Sequence, residues 1–153
     1  MIVTLQQLKQ TTGRILGVDL GDVRTGLAIS DGARFLASGL ETVAPGGMTK
    51  TAICVAQTAK EQNAVAVVLG LPVNMNGSEG PRAEHVRVFA GILEEQAPEL
   101  SILLLDERMT TMAASRYLNE TNTRGSKRKQ IIDTLSAQII LQNALDRLKN
   151  LSV

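Results

Sequence analysis

The chain has 153 residues, enough for one compact domain with its own hydrophobic core. Its 16 Lys and Arg against 15 Asp and Glu leave a net charge of +1, so any surface that binds nucleic acid must be a local basic patch. One cysteine excludes an internal disulfide, and one histidine, His85, leaves little for a zinc site or a Ser-His-Asp triad. No apolar run approaches the roughly 20 residues that span a bilayer, and no signal peptide is recognisable, so we expect a cytoplasmic protein without a membrane partner.

The first part of the chain predicts an antiparallel meander of three strands. We assign residues 1–13 to an N-terminal arm, loose or with one short helical turn, and residues 14–150 to a single domain. Short apolar runs predict strands near Arg14–Asp19, Thr25–Ser30 and Leu36–Val43. The glycines between the first two strands suit a tight hairpin, and strands joined by such short connections pair in antiparallel fashion.

The next segment predicts one helix and one buried strand. The helix covers Met48–Gln62, with Ile53, Ala56 and Ala59 near one face. The nearly continuous apolar run Ala64–Leu69 is typical of a parallel strand that is covered on both faces.

The second half of the chain alternates helices with strands. We expect, in order, a loop at Gly70–Gly80, a helix from about Pro81 with Ala83, Val86, Ala90 and Leu93 along one side, a strand at Ser101–Leu105, a short helix from Thr110 or Thr111 to Leu118, and a long helix at about Lys127–Leu148. The long helix has an apolar stripe at helical spacing: Ala137, Ile140, Leu141, Ala144, Leu145 and Leu148. This order predicts an α/β fold in which parallel strands extend the meander into a five-stranded mixed sheet with helices on both faces.

Three carboxylates occupy positions where such a sheet collects its ligands. Asp19 ends the first strand, Glu107 follows the last strand beside Asp106, and Asp133 lies near the start of the long helix. Ligands of open sheets gather at the carboxyl ends of the parallel strands. Carboxylates without histidine or cysteine favour Mg²⁺ or Mn²⁺, and two such ions about 3.5–4 Å apart can activate water and stabilise the leaving oxygen in phosphodiester cleavage.

Each carboxylate also has a purely structural explanation. Asp19 could cap a turn, and Asp133 could pair with Lys129. Glu107 could pair with Arg108 or Arg116. The combination of the three, rather than any one of them, indicates a metal site and a nuclease.

Basic residues lie ahead of Asp133 and at the start of the helix that follows the Gly70–Gly80 loop. A cluster in front of Asp133 could be an ordinary solvated helix start, but cations there oppose the helix dipole, and a phosphate backbone would offset that conflict. Arg82, at the start of the helix after Gly70–Gly80, suits an oxygen anion together with free amides of that loop. The basic cluster consists of Arg124, Lys127, Arg128 and Lys129.

Four motifs in order resemble one family. They are GVDLGDVRTGLAISD, VVLGLPVNMNGSEGPRA, LLDERMTT and KRKQIIDTLSAQIILQNAL. The set resembles the YqgF family, also called RuvX, of pre-16S rRNA nucleases and Holliday-junction-resolvase-like proteins, and it spans nearly everything from Arg14 to Leu148. The resemblance implies an RNase H-like fold, divalent-metal-dependent cleavage of nucleic acid phosphodiesters and a role in maturing the 5′ end of 16S rRNA.

The resemblance also implies roles for single residues. Asp19 matches the metal ligand of the first strand and Asp133 the ligand of the helix, while Glu107 is our choice for the third ligand, with Asp106 as the alternative. Further residues at motif positions are candidate contacts to nucleic acid: Arg24, Asn76, Ser78 and Arg108.

The sequence is also compatible with other functions. Within the nuclease class, the substrate could be precursor rRNA or branched DNA. A nucleotide-binding protein of the actin and hexokinase type shares an Asp-x-Gly turn like that of Asp19 to Gly21, although such proteins usually need two related domains. A ribosome-assembly factor with an idle centre is the third class. The chain could act as a monomer or as a homodimer, which would suit a symmetric junction.

Overall fold

The computed structural model describes residues 1–106 and 125–151, with the side chains of 125–133 left out of the description. In this part of the chain, the strands form one sheet in the order β3-β2-β1-β4-β5. The elements in chain order are α1 (Leu5–Lys9), β1 (Arg14–Asp19), β2 (Thr25–Ser30), β3 (Ala37–Val43), α2 (Met48–Glu61), β4 (Ala64–Leu71), α3 (Pro81–Gln96), β5 (Ser101–Asp106) and α4 (Gly125–Asn150).

The sheet is mixed, as the order of elements predicts. Strand β1 pairs in antiparallel fashion with β2 and in parallel with β4, and β4 is parallel to β5. The carboxyl ends of β1, β4 and β5 therefore share one edge of the sheet, which we call the carboxyl edge. Strands β4 and β5 run slightly beyond their predicted ends, to Leu71 and Asp106.

Helices cover both faces of the sheet. Alternate residues of β1, β2, β4 and β5 enter two different hydrophobic clusters, as the period-2 geometry of a strand requires. Leu16 and Val18 of β1 belong to the cluster beneath α2 and α3, whereas Ile15 belongs to the cluster beneath α4 and α1. The predicted apolar stripes of α3 and α4 are both buried. The short helix predicted after Thr110 lies outside the described residues.

The predicted inner face of α2 is wrong in one respect. Ile53 is 47% exposed, and the buried face of the helix runs through Ala52, Val55 and Ala59, with Thr51 and Thr58 beside them. The two threonines can be buried because each hydroxyl donates a hydrogen bond to the carbonyl four residues earlier, at 2.7 Å and 2.9 Å.

Helix α4 approaches the sheet closely because two strands have glycine beneath it. A Cβ on Gly17 of β1 would come within 2.7 Å of the Leu141 Cβ, and one on Gly39 of β3 within 2.5 Å of the Thr134 Cγ2. The missing side chains let the helix backbone lie directly on the strands.

The N-terminal segment contains a short helix that packs onto the sheet. Thr4 caps α1 in a reciprocal box with Gln7, and Leu8 is fully buried in the α4-side cluster. Ahead of the helix, the Val3 amide donates to the Ile102 carbonyl at 2.8 Å, so the segment also pairs with the outer edge of β5. None of the helices in the described ranges is long and apolar enough to cross a membrane.

Candidate functional site

Asp19 stands at the carboxyl edge, at the end of β1. It is half-buried and pairs in register with Gly26 of β2. The loop that follows is tight, because a Cβ on Gly21 would overlap the carbonyl oxygen of Arg24. Arg24 is itself half-buried and directly precedes β2. The local sequence thus holds the Asp19 carboxylate next to a turn that only glycine permits.

Strand alternation assigns Asp19 and Asp106 to opposite faces of the sheet. Ile15 enters the cluster beneath α4, and Gly17 lies against Leu141 of that helix, so Asp19 follows on the same face. Asp106 pairs with Leu71, which belongs to the cluster beneath α2 and α3. The two carboxylates share the edge but not the face.

Helix α4 runs back over the sheet from the carboxyl edge. Its later part lies near the start of β1, where the Lys9 Nζ donates to the Leu148 carbonyl at 2.6 Å, and Leu141 lies over Gly17 in mid-strand. Asp133 is eight residues before Leu141, or about 12 Å along the helix axis, and Asp19 is two residues beyond Gly17, or about 7 Å along the strand. Thr134, the next residue, lies over Gly39 of β3, which stands in the same row of the sheet as Gly17, so the helix also crosses the sheet from β3 to β1. Gln138 and Gln142 bond to Ala37 at the start of β3, so the backbone at Asp133 points toward the carboxyl edge on the β3 side.

The remaining predicted site residues divide into two groups. Arg82 is exposed on the first turn of α3, and Asn76 and Ser78 are exposed in the preceding loop. Glu107, Arg108 and Arg124 lie outside the described residues. The same holds for the side chains of Lys127, Arg128, Lys129 and Asp133, which belong to the first turns of α4.

The loop between β4 and α3 is organised by its own polar groups. The backbone N–H of Asn74 donates to the backbone carbonyl of Ser78 at 2.9 Å, and the backbone N–H of Gly77 donates to the backbone carbonyl of Asn74 at 2.8 Å. Both the amide and the hydroxyl of Ser78 donate to the Asn76 Oδ1, at 3.0 Å and 2.6 Å. The sequence suggested free amides for an anion, but these three amides are used within the loop.

An ion pair fastens this loop to α3. The Arg87 Nε and Nη2 donate to the two carboxylate oxygens of Glu79, each at 2.7 Å. The hydrogen bond from Arg87 lowers the pKa of the Glu79 carboxyl, and the same bond raises the pKa of Arg87. Both side chains are largely exposed, so the pair orients the loop more than it stabilises the whole fold.

Two adjoining cavities lie at the carboxyl edge on the α2–α3 side of the sheet, opposite to the face of Asp19, and we call them together the edge groove. One, of about 190 Å³, lies between Leu20 and the first turns of α3, where Arg82 and His85 face it. The other, of about 360 Å³, continues past Asp22 to the Gly46–Gly47 turn before α2. The cavities share Leu20, Asp22 and His85 as lining residues.

The sequence did not single out His85, which it placed as a surface or boundary residue. The side chain is exposed, but it lines both parts of the edge groove. No local pattern in the sequence indicates this position. It results from the order of the strands, which brings the first turns of α3 beside the β1–β2 loop.

Of the three carboxylates predicted to bind a hard cation, only the side chain of Asp19 lies within the described residues. Asp19 offers a carboxylate, but the described residues hold no group of three or more Asp, Glu, His or Cys side chains placed to bind one metal ion. Two of the three predicted ligands, Glu107 and the Asp133 side chain, lie outside the description.

Sequence comparison places the chain in a family. The family described as "RuvX: Holliday junction resolvase" matches residues 13–147. The chain belongs to the RuvX family. A relative from Paracoccus denitrificans named "Putative pre-16S rRNA nuclease" is 43% identical over 148 residues, which are 97% of this chain and 93% of the relative. A relative of the same name from Ruminiclostridium cellulolyticum is 40% identical over 136 residues, 88% of this chain and 95% of its own.

Solved structures of two Holliday junction resolvases share the fold of this RuvX family member. RuvC of Thermus thermophilus, solved in complex with a Holliday junction substrate, superposes with a TM-score of 0.52 at 16% identity and covers 84% of this chain and 91% of its own. The fowlpox virus Holliday junction resolvase gives a TM-score of 0.51 at 13% identity, covering 90% of this chain and 99% of its own. The predicted RNase H-like fold and the predicted family are both confirmed.

Proposed function

We propose that this protein is a divalent-metal-dependent nuclease that hydrolyses a phosphodiester of precursor 16S rRNA at its 5′ end, in the cytoplasm. The observation that carries the proposal is the position of Asp19, a half-buried carboxylate at the carboxyl edge on the face that α4 covers. Relatives of at least 40% identity bear the name of pre-16S rRNA nucleases.

The proposed metal ligands are Asp19, Glu107 and Asp133, and the ion is Mg²⁺ or Mn²⁺. Alternation along β5 supports Glu107 rather than Asp106 as the third ligand, because Asp106 shares a face with Leu71, opposite to that of Asp19. The direction of α4 supports Asp133. A bound ion would supply the Lewis acid that activates water and stabilises the leaving oxygen.

The chain's own residues would hold the substrate against this centre. Arg24 directly precedes β2, and Arg82 stands on the first turn of α3, which follows the Asn74–Ser78 loop. Lys127, Arg128 and Lys129 belong to the first turns of α4, ahead of Asp133. Contacts from such residues to phosphates bring affinity and position without reading the base sequence.

The test is cleavage of a precursor 16S rRNA fragment by the full chain with Mn²⁺, compared with the Asp19→Asn variant. Asp and Asn have nearly equal volume, so the variant should fold and lose at least 100-fold in rate, because removing one ligand weakens the metal centre. Asn substitutions at Asp106 and Asp133 complete the set. The D106N variant should keep its activity and the D133N variant should lose it. Cleavage by D19N at the parental rate would contradict the proposal.

A four-way DNA junction is the second candidate substrate, since the family description names a Holliday junction resolvase. The same assay run on both substrates decides between them. Faster cleavage of the junction than of the RNA at equal concentration would move the proposal to branched DNA, where a homodimer would match the two-fold symmetry of the substrate. Sedimentation velocity with each substrate would separate a monomer from a dimer.

A further inference from the structure

The edge groove begins at Leu20 and has two basic side chains along one wall. Arg82 and His85 lie three residues apart on α3, so they project from the same side of the helix. His85 lines both cavities, and Arg82 lines the one that ends at Gly70 and Pro72. The wall therefore lies at the carboxyl edge, on the face of the sheet opposite to that of Asp19.

Most described arginines already have partners within the fold. Arg14 donates to the carbonyls of Ser30 and Gln62, Arg34 to those of Gly13 and Leu8, and Arg87 to Glu79. By contrast, no hydrogen bond or ion pair joins Arg82 or His85 to any residue in the described ranges. Their donors are available to an external acceptor, and a guanidinium is suited to a phosphate because it can donate two parallel hydrogen bonds.

We propose that Arg82 and His85 form a subsite for one backbone phosphate of the RNA, where the strand passes from the proposed centre around the carboxyl edge to the α2–α3 side. This inference rests on the proposed nuclease function and extends it to the substrate on one side of the cleavage point. Asp22, a carboxylate in the middle of the groove, repels a phosphate there and so favours the Arg82 end.

Binding is measured without cleavage, in the full chain with Asp19→Asn, by fluorescence anisotropy of a fluorescein-labelled 12-nucleotide single-stranded RNA. Arg82→Gln should weaken binding about tenfold and reduce the slope of log Kd against log salt by about 0.7, the value for one phosphate contact on a single strand. His85→Gln should weaken binding several-fold. Both side chains are exposed, so neither change should disturb folding.

The matched control is Lys60→Gln. Lys60 is an exposed cation in the last turn of α2, at the far end of that helix from the Gly46–Gly47 turn. This variant should bind the RNA within twofold of the parent. Equal weakening by K60Q and R82Q would indicate general charge attraction and overturn the subsite.

Neutral methylphosphonates locate the contact on the RNA. Each phosphate of a single-stranded extension on an RNA hairpin is replaced in turn. Replacing the phosphate that Arg82 contacts should weaken binding to the parent protein. The same replacement should not weaken binding to R82Q, because that variant already lacks the contact between the guanidinium and the phosphate. Equal sensitivity at every position in both proteins would overturn the inference. The nuclease proposal fails on a different result, namely cleavage by D19N, so the two failures are distinguishable.

Discussion

At the scale of single residues, the loop after Asp19 depends on Gly21. The carbonyl oxygen of Arg24 occupies the space where a side chain at position 21 would begin. Gly21→Ala must therefore move the backbone of Arg24, and with it the start of β2 and one wall of the edge groove. We expect at least a tenfold loss of RNA cleavage, with unfolding free energy lowered by about 1–3 kcal/mol.

The control for this prediction is Gly32→Ala, in the turn between β2 and β3. A Cβ there meets no atom within 4 Å, so the variant should match the parent in both cleavage and denaturant midpoint. Full activity of the Gly21→Ala variant would show that the turn can relax without affecting the site.

The Glu79–Arg87 pair predicts a pH dependence. Because hydrogen bonding to Arg87 lowers the pKa of Glu79 in the folded state, the contribution of the pair is complete above the ordinary value of 4.5. That contribution is lost as the pH falls through the lowered value. The Arg87 Nε–H resonance in NMR should titrate with a midpoint below 4.5, and in the Glu79→Gln variant it should not titrate. Glu84→Gln, on the same helix, should leave the titration unchanged, whereas a midpoint at or above 4.5 would contradict the pairing.

At the scale of elements, the position of α4 decides whether Asp133 can reach the carboxyl edge. The helix rests on Gly17 at two points, the Leu141 Cβ and the Ala137 carbonyl, and the second is backbone that cannot rotate away. Gly17→Ala should therefore lift the helix and cost about 1–3 kcal/mol of stability. It should also slow cleavage, because the proposed ligand on α4 moves with the helix.

A second glycine supplies the control. Gly91 lies within α3, and a Cβ there meets no atom within 4 Å. Gly91→Ala should stabilise the protein by about 0.5–1 kcal/mol through lower backbone entropy in the unfolded chain, with unchanged cleavage. Chemical denaturation monitored by circular dichroism measures both variants, and equal stability of the Gly17→Ala variant and the parent would refute the close packing.

The two helices α4 and α2 show where the spacing of apolar residues is enough to predict a buried face and where it is not. Apolar spacing was sufficient for the buried face of α4, where Ile140, Leu141 and Leu145 repeat at helical intervals. It was insufficient for α2, because Thr51 and Thr58 count as polar in a pattern but satisfy their hydroxyls within the helix. The groove wall at His85 depends on strand order, which no local pattern contains. The sequence predicts Asp19 and Glu107 as ligands from their places at the ends of strands, and Asp133 from its place near the start of the long helix.

At the scale of the whole molecule, the N-terminal segment connects parts of the fold that are distant in sequence. Residues ahead of α1 pair with β5, the Lys9 side chain binds the end of α4, and Arg34 in the β2–β3 turn donates to the Leu8 carbonyl at 3.0 Å. These contacts lie away from the carboxyl edge. The segment therefore bears on the stability of the fold and not on the chemistry of the site.

Leu8 is the apolar anchor of this segment, since it is fully buried in the cluster beneath α4. Leu8→Ala should lower the free energy of unfolding by about 2–5 kcal/mol, as expected for a cavity in a packed core. Because the segment contacts β5, α4 and the β2–β3 turn, it should unfold together with the domain, and thermal denaturation should keep a single transition at a lower midpoint. Gln6→Ala, exposed on the same helix, should leave the midpoint unchanged. A separate early transition followed by an unchanged main one would mean that the segment unfolds independently of the sheet.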